Sequence, residues 1–114
     1  MALTVFQRSY DGVPALELVG RVTDDDAREL SHEMRALCKK GHATIVVDIS
    51  RVQFIDSHGL GVFVFYSSLM EKAERKLAFL NTNRTPTSYV NRLFEMTNLD
   101  KVFLLAGSMR DVPK

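Results

Sequence analysis

Asp48-Ile-Ser-Arg-Val-Gln-Phe-Ile-Asp-Ser-His-Gly-Leu-Gly61 is the stretch of sequence that joins two apolar runs of this chain. The run in front of it, Ile45 to Val47, is β-branched throughout, which predicts a strand covered on both faces. We expect a loop from Ser50 to Asp56 after this strand. Ser57 then stands beside a carboxylate and close to two glycines, where a partner or a modifying enzyme can reach its hydroxyl.

The second apolar run, Leu60 to Tyr66, is ambiguous between a strand and a helix. Its β-branched and aromatic residues favour a strand, but helix formers continue from Ser67 to Lys76. Because burial in a core overrides local propensity, we interpret residues 58–74 as one helix. The pattern of residues does not decide between the two.

Composition places the chain among ordinary globular proteins. It has 114 residues, enough for one domain with a real core, and it is 46% apolar and 25% charged. The net charge of +1 selects neither nucleic acid nor an anionic membrane surface as a partner. No secretory leader is recognisable and no apolar stretch is long enough to span a bilayer, so we predict a cytoplasmic protein.

The first half of the chain predicts a hairpin followed by a helix. Asp11-Gly12 is a strong turn signal between two short strands. Thr23 is the expected N-cap of a helix whose first turn, residues 24–26, is acidic and whose end is marked by Gly41. One apolar stripe runs along this helix and includes the single cysteine, Cys38.

The second half predicts a strand, a helix and a last apolar segment. Lys76 to Leu80 has the composition of a short strand. Thr85 followed by Pro86 predicts the start of a third helix, and Asn98 predicts its end. Residues 102–105 form the last strand or core segment. The order β-β-α-β-α-β-α-β predicts an α/β fold, a mixed sheet with helices packed on it.

No catalytic, cofactor or metal motif is legible, so an enzyme is the least favoured class. Gly59-Leu-Gly61 lacks the third glycine of a dinucleotide fingerprint and the lysine of a phosphate-binding loop. Histidines at 32, 42 and 58 have no metal-ligand spacing and are read as solvated or hydrogen-bonded. We therefore expect no cofactor and no metal.

The aromatic residues of the second apolar run have two interpretations. Phe63, Phe65 and Tyr66 either pack in the core or line a ligand pocket, and core packing is favoured beside a helical stripe. Cys38 is expected to be a buried small hydrophobe. A small-ligand or nucleotide binder stays open as a third class of function, which a heat-stability screen against nucleotides and lipids tests.

Ser57 also has two interpretations. It is either the N-cap of the following helix, with its hydroxyl accepting a backbone N–H, or a phosphorylation site. A phosphate there adds about −1.5 to −2 charges. The helix N-terminus partly accommodates that charge, whereas Asp56 repels it. The surface would then change sign while the fold survives.

The stretch from Asp48 to Gly61 resembles the signature of STAS domains, the fold of bacterial anti-sigma factor antagonists. In that signature a strand ends in an aspartate, and Asp-Ser-Ser/Thr-Gly-Leu then opens a helix after a loop. Leu16 to Val22 is similar to the family's second strand, and Lys76 to Leu80 to its fourth. Val90 to Phe103 is similar to its last helix and the strand that follows. The resemblance covers nearly all of residues 3–105.

The resemblance implies a fold and a division of the chain. The fold would be a mixed four- to five-stranded sheet with helices packed mainly on one face. Residues 58–74 would be a helix. Residues 1–106 would form a single STAS-like domain, and residues 107–114 a polar C-terminal tail that we expect to be frayed.

The resemblance also implies a mechanism, which is signal transduction by partner switching. An anti-sigma factor that is a serine kinase of the GHKL ATPase type would bind the dephosphorylated protein and phosphorylate Ser57. A PP2C-type phosphatase would remove the phosphate. The family's signature aspartates map onto Asp48 and Asp56, which are expected to shape the loop and the docking surface. The expected partner-binding residues are Asp24, Asp56, Ser57, His58 and Gly59.

His58 departs from the family pattern, in which Ser or Thr is common at this position. An imidazole beside Ser57 either alters recognition by the kinase, or hydrogen-bonds to a phosphate on Ser57, or has no effect on function. Some STAS domains serve as constitutive scaffolds or as lipid-transport accessory subunits without phosphorylation. This module is the alternative to the phosphorylation switch.

Overall fold

The chain begins with a hairpin, as its Asp-Gly pair predicts. In the computed structural model, which describes residues 3–83 and 88–113, strands Thr4–Tyr10 (β1) and Val13–Val22 (β2) are antiparallel. Asp11 and Gly12 connect them with φ angles of 54° and 82°. Positive φ at both central residues gives the turn a twist that matches the strands.

The other strands add to the hairpin in parallel. They are Thr44–Ile55 (β3), Lys76–Leu80 (β4) and Leu104–Ala106 (β5), and the order in the sheet is β1-β2-β3-β4-β5. Helices Asp24–Lys39 (α1), Ser57–Lys72 (α2) and Tyr89–Met96 (α3) form the connections. The five-stranded mixed sheet and the element order are confirmed.

All three helices cover one face of the sheet. The main core lies between the helices and the sheet. It is built from alternate residues of the central strands and from the inner stripes of the helices, including Leu16, Leu18, Leu30, Met34, Ile45, Val47, Phe63, Met70, Phe79 and Phe94. A smaller cluster lies on the opposite face and includes Val13, Val46, Leu80 and Val112. None of the helices in the described part of the chain is long and apolar enough to cross a membrane.

The C-terminal segment helps to cover this second face. A 3-10 turn spans Met109–Asp111, and the following Val112 is only 5% exposed. Over residues 107–113 the expectation of a frayed tail is therefore wrong. The tail is polar by composition, but Val112 and the partly buried Met109 anchor it on the sheet.

The expected loop from Ser50 to Asp56 is also wrong, because β3 continues to Ile55. This half of the strand pairs with the end of β2, with Gly20 opposite Val52 and Val22 opposite Ile55, across two register shifts. Val52 and Ile55 are buried in the main core. Long-range pairing and burial make a strand of residues whose local pattern is irregular.

The helices start and end close to their predicted positions. The second helix is confirmed over residues 57–72, against an expectation of 58–74. Asn98 follows α3 with φ of 59°, the left-handed conformation typical of a helix end. Thr85 and Pro86, the expected start of α3, lie outside the described residues.

Candidate functional site

One carboxylate ties the N-termini of two helices together. Asp56 is the N-cap of α2, and its Oδ1 accepts the backbone N–H of Gly59 at 3.0 Å. Its Oδ2 accepts the backbone N–H of Asp24, the first residue of α1, at 2.8 Å. The peptide N–H of Asp56 itself donates to the carbonyl of Val22 at 3.0 Å. A single side chain therefore fixes where α1 and α2 begin relative to each other.

Ser57 is the first residue of α2 and is exposed. Because Asp56 supplies the cap, the interpretation of Ser57 as the N-cap is wrong. Its hydroxyl makes no hydrogen bond to any other residue in the described part of the chain. A group added to this oxygen would meet solvent and would leave the cap of the helix intact.

His58 faces the start of α1. Its Nε2 lies 3.6 Å from Asp24 Oδ1, and both side chains are largely exposed. An exposed contact of this length contributes little stability. It does show that Asp24, which is distant in sequence, shares the surface of Ser57 and His58. The expected partner-binding residues therefore lie together on one rim, at the carboxyl end of the parallel strands.

Gly59 lets α2 approach the sheet at this rim. A Cβ there would lie 2.6 Å from Val22 Cγ1 and 3.0 Å from both Ile55 Cγ2 and the Val22 carbonyl oxygen. Gly61, two residues on, has nothing within 4 Å of an added Cβ. The first glycine is a packing requirement, and the second is not.

A groove of about 560 Å³ opens between α1 and α2 next to Ser57. Ser57, His58 and Arg28 line the end nearest the rim, and Phe65 and Tyr66 lie further along it. Core packing is confirmed for Phe63 and Tyr66, but Phe65 is 58% exposed. The core interpretation is therefore wrong for Phe65, which faces the groove.

A second exposed feature at the same end of the sheet was not anticipated. The Arg21 guanidinium carbon lies 4.4 Å from the centroid of the Phe54 ring, and Tyr89 stacks on that ring at 5.3 Å. Phe54 lies within the stretch from Asp48 to Gly61 that resembles the STAS signature. The sequence contains no signal that joins it to Arg21 and Tyr89, because the three residues come from β2, β3 and α3.

Asp48, the other signature aspartate, does not belong to this rim. It is buried within β3, where it accepts the Tyr10 hydroxyl at 2.8 Å and the backbone N–H of Ser50 at 3.0 Å. Burial, together with the hydrogen bond to Asp48, raises the pKa of Tyr10. Asp48 fastens the hairpin to the centre of the sheet, so the expectation that it shapes the docking surface with Asp56 is wrong.

The remaining candidates from the sequence are the single cysteine and a possible metal site. Cys38 is buried on the inner stripe of α1, as expected, and burial raises the pKa of its thiol. Across residues 3–83 and 88–113, no three His, Cys, Asp or Glu side chains lie close enough together to hold a metal ion.

We expect Asp56→Asn to lower the free energy of unfolding by about 1–2 kcal/mol at pH 7, since an NH2 group, which can only donate, replaces one of the two accepting oxygens. Either Gly59 or Asp24 then loses its partner. Urea unfolding of both proteins measures the difference. Asp25→Asn, a neighbouring carboxylate without a described hydrogen bond, is the matched control and should change stability little.

The same carboxylate predicts a pH dependence. The backbone N–H of Gly59, and after it that of Asp24, holds the pKa of Asp56 below its usual range. Because the pKa is lower in the folded state, the ionised carboxylate stabilises the fold at pH values above the unfolded-state pKa of about 3.9. This stabilisation is lost as the pH falls through the folded-state pKa. The difference between wild type and Asp56→Asn should therefore shrink between pH 5 and pH 3. An unchanged difference across that range would contradict the assignment.

Residues 5–106 match the family described as "Mlab, STAS domain". The match spans most of the chain, from the second residue of β1 to the end of β5, and includes α1, α2 and α3. The chain therefore belongs to the STAS domain family.

Relatives within this fold are named anti-sigma factor antagonists. The Bordetella bronchiseptica protein "Putative anti-sigma factor antagonist BtrV" is 26% identical over 98 residues, 86% of this chain and 81% of that protein. The crystal structure of an anti-sigma factor antagonist from Mycobacterium paratuberculosis superposes with a TM-score of 0.82 at 25% identity, over 96% of this chain and 90% of that one.

A more distant structure shows the same fold. It is the Bacillus cell fate determinant SpoIIAA in its phosphorylated form, with a TM-score of 0.64 at 19% identity, over 92% of this chain and 91% of that one. At this identity the likeness concerns the fold.

Proposed function

We propose that this protein is an anti-sigma factor antagonist, itself without catalytic activity, whose binding to its partner is switched by phosphorylation of Ser57. The partner is an anti-sigma factor of the GHKL ATPase type that is also a serine kinase, and a PP2C-type phosphatase restores the binding form in the cytoplasm. The observation that carries the proposal is the Ser57 hydroxyl, which is exposed, unbonded within the described residues and independent of the helix cap.

The electrostatics of the rim support a switch. A phosphate on Ser57 adds about −1.5 to −2 charges at the N-terminus of α2. The helix dipole stabilises part of that charge. The carboxylates of Asp56 and Asp24, which lie at the same rim, oppose it, whereas Arg28 at the same end of the groove attracts it. The cap survives modification, so the surface changes its charge while the fold is kept.

The relatives support the same function. Two proteins that cover most of this chain carry the name of anti-sigma factor antagonist. A third protein of this fold has been solved in a phosphorylated form. Those names describe the relatives, and we extend them to this chain because its exposed serine lies at the start of α2.

Incubation with ATP and the GHKL-type ATPase encoded nearest to this gene should transfer one γ-phosphoryl group to Ser57 Oγ, with release of ADP and a proton. Intact-mass measurement should show a gain of one phosphoryl group that peptide mapping places on Ser57. Ser57→Ala should abolish the gain. Ser68→Ala, which removes another exposed serine of α2, should leave it unchanged. A gain that persists in Ser57→Ala would refute the assignment.

A constitutive interaction module is the second candidate. The matching family is named for Mlab and not for an antagonist, and His58 stands where Ser or Thr is common. In that case the same rim would bind a partner regardless of Ser57. Partner binding by wild type, with no mass gain on incubation with kinase and ATP, would favour this module.

A further inference from the structure

We propose that the stack of Arg21, Phe54 and Tyr89 anchors the partner, which places a carboxylate on the Arg21 guanidinium and an apolar or flat group against Tyr89. The inference rests on the proposed function, because this partner is the kinase that acts on Ser57. It adds a second contact region to the rim and states the chemistry that the partner must present there.

The stack is held from three elements. Arg21 on β2 and Phe54 on β3 are paired across the sheet. The Phe54 and Tyr89 rings are 24° from parallel. The Tyr89 hydroxyl donates to the carbonyl of Ile55 at 3.2 Å, which fixes the ring at both ends. Such a side chain loses little conformational entropy when a partner covers it.

The stack and Ser57 belong to the same end of the sheet. Phe54 is three residues before Ser57, and the carbonyl that holds Tyr89 is only two residues before it. Arg21 is likewise three residues before Asp24, whose backbone bonds to the cap of α2. A partner that reaches the Ser57 hydroxyl therefore comes within reach of the stack.

Arg21 differs from Arg8 and Arg51, the arginines of the neighbouring strands. Arg8 and Arg51 both lie within 4 Å of Glu17 carboxylate oxygens. Arg21 has an aromatic partner but no carboxylate among the described residues. Its guanidinium N–H groups are therefore available, and a carboxylate is the group that fits their fork geometry.

Tyr89 adds an apolar surface to this charge. Its side chain is 42% exposed although it stacks on Phe54. Arginine and tyrosine are among the residues most enriched at positions that dominate binding energy in protein interfaces. Tyr89 and Arg21 both contact the Phe54 ring, and Arg21 has no carboxylate partner among the described residues, so the stack has the composition of such an anchor.

The charges around Ser57 give the docking surface a direction. Asp24 and Asp25 are exposed at the first turn of α1, with Arg28 one turn further on in the groove. Arg21 is exposed on the side of β2 and β3. A complementary partner carries a basic group for the first side and an acidic group for the second. Opposite signs on two sides of one serine favour a single orientation and disfavour its reverse.

The test measures the affinity and association rate of the dephosphorylated protein with the same GHKL-type ATPase, at low and high salt. Arg21→Ala and Tyr89→Ala should each weaken binding about tenfold. Arg21→Glu should weaken it further, mainly through a slower association rate with a changed salt dependence. At saturating kinase, Ser57 of each variant should still be phosphorylated, because these side chains do not touch the hydroxyl.

Arg8→Ala is the matched control. Arg8 also lies over a phenylalanine ring, Phe6, at 4.7 Å, but it is on the edge strand β1. It should bind like wild type. Suppose that the kinase binds and phosphorylates the wild type. If the affinities of Arg21→Ala and Arg21→Glu are then within about twofold of the wild-type affinity, the anchor is refuted and the proposed function stands. If wild type is neither bound nor phosphorylated, the proposed function falls and the anchor falls with it.

Discussion

Gly59→Ala should lower the free energy of unfolding by about 1–3 kcal/mol, although alanine is the better helix former. The new methyl group would lie 2.6 Å from Val22 Cγ1, and the Val22 carbonyl and Ile55 leave it no other space. Val22 and Ile55 are themselves buried in the main core. Relief therefore requires α2 to move away from the sheet at the end that presents Ser57.

Gly61→Ala is the matched comparison and should have the opposite sign. An added Cβ meets nothing within 4 Å, so the variant gains helix propensity of about 0.5–1 kcal/mol without a clash. Urea unfolding of both variants measures the two effects. Equal stabilities of Gly59→Ala and Gly61→Ala would contradict the close approach of α2 to the sheet.

Elements whose information is local were predictable from the sequence. The Asp11-Gly12 turn needs only two residues with positive φ, and β4 was predicted with the bounds that it has. The acidic first turn and Gly41 marked both ends of α1, and Gly41 has φ of 76°. Turn residues, strand composition and helix-end residues were sufficient for these elements, because each is a property of a few neighbouring residues.

The second half of β3 was not predictable, because its partner is distant. Residues 50–55 mix polar and apolar side chains irregularly, as a strand with register shifts does. The pairing with the end of β2 makes it a strand. The α2 helix is the reverse case: its β-branched and aromatic residues suggested a strand, and burial of Phe63 and Met70 in the core overrides that propensity.

The candidate site was only partly predictable. The residue pattern located Ser57 and left it open between a helix cap and a phosphorylation site, and the family resemblance favoured the second. The bridge from Asp56 to Asp24 joins residues 32 apart in sequence, which no local pattern shows. Asp48 and Asp56 look equivalent in the motif, but they have opposite roles because β3 runs on between them. The stack of Arg21, Phe54 and Tyr89 exists only where three elements meet.

Ser57→Asp should weaken binding to the anti-sigma factor, the partner of the dephosphorylated protein, about a hundredfold. Ser57→Ala should bind this partner at least as well as wild type does. The added carboxylate would follow Asp56 directly and share the rim with Asp24, in the surface that we propose the partner covers. Burying a third negative charge on this rim costs binding free energy, of which the nearby Arg28 offsets only part. Removing the hydroxyl costs the helix nothing, since Asp56 provides the cap.

Ser68→Asp separates this switch from a general effect of charge. Ser68 is exposed on the same helix, three turns from Ser57 and about 16 Å along the axis. It adds the same charge to the protein without adding it to the rim. If only the charge at the rim matters, isothermal titration should give Ser68→Asp the wild-type affinity and Ser57→Asp the loss. Equal losses would mean that net charge drives the effect. Equal wild-type affinities would mean that charge at Ser57 does not control binding, which favours the constitutive module.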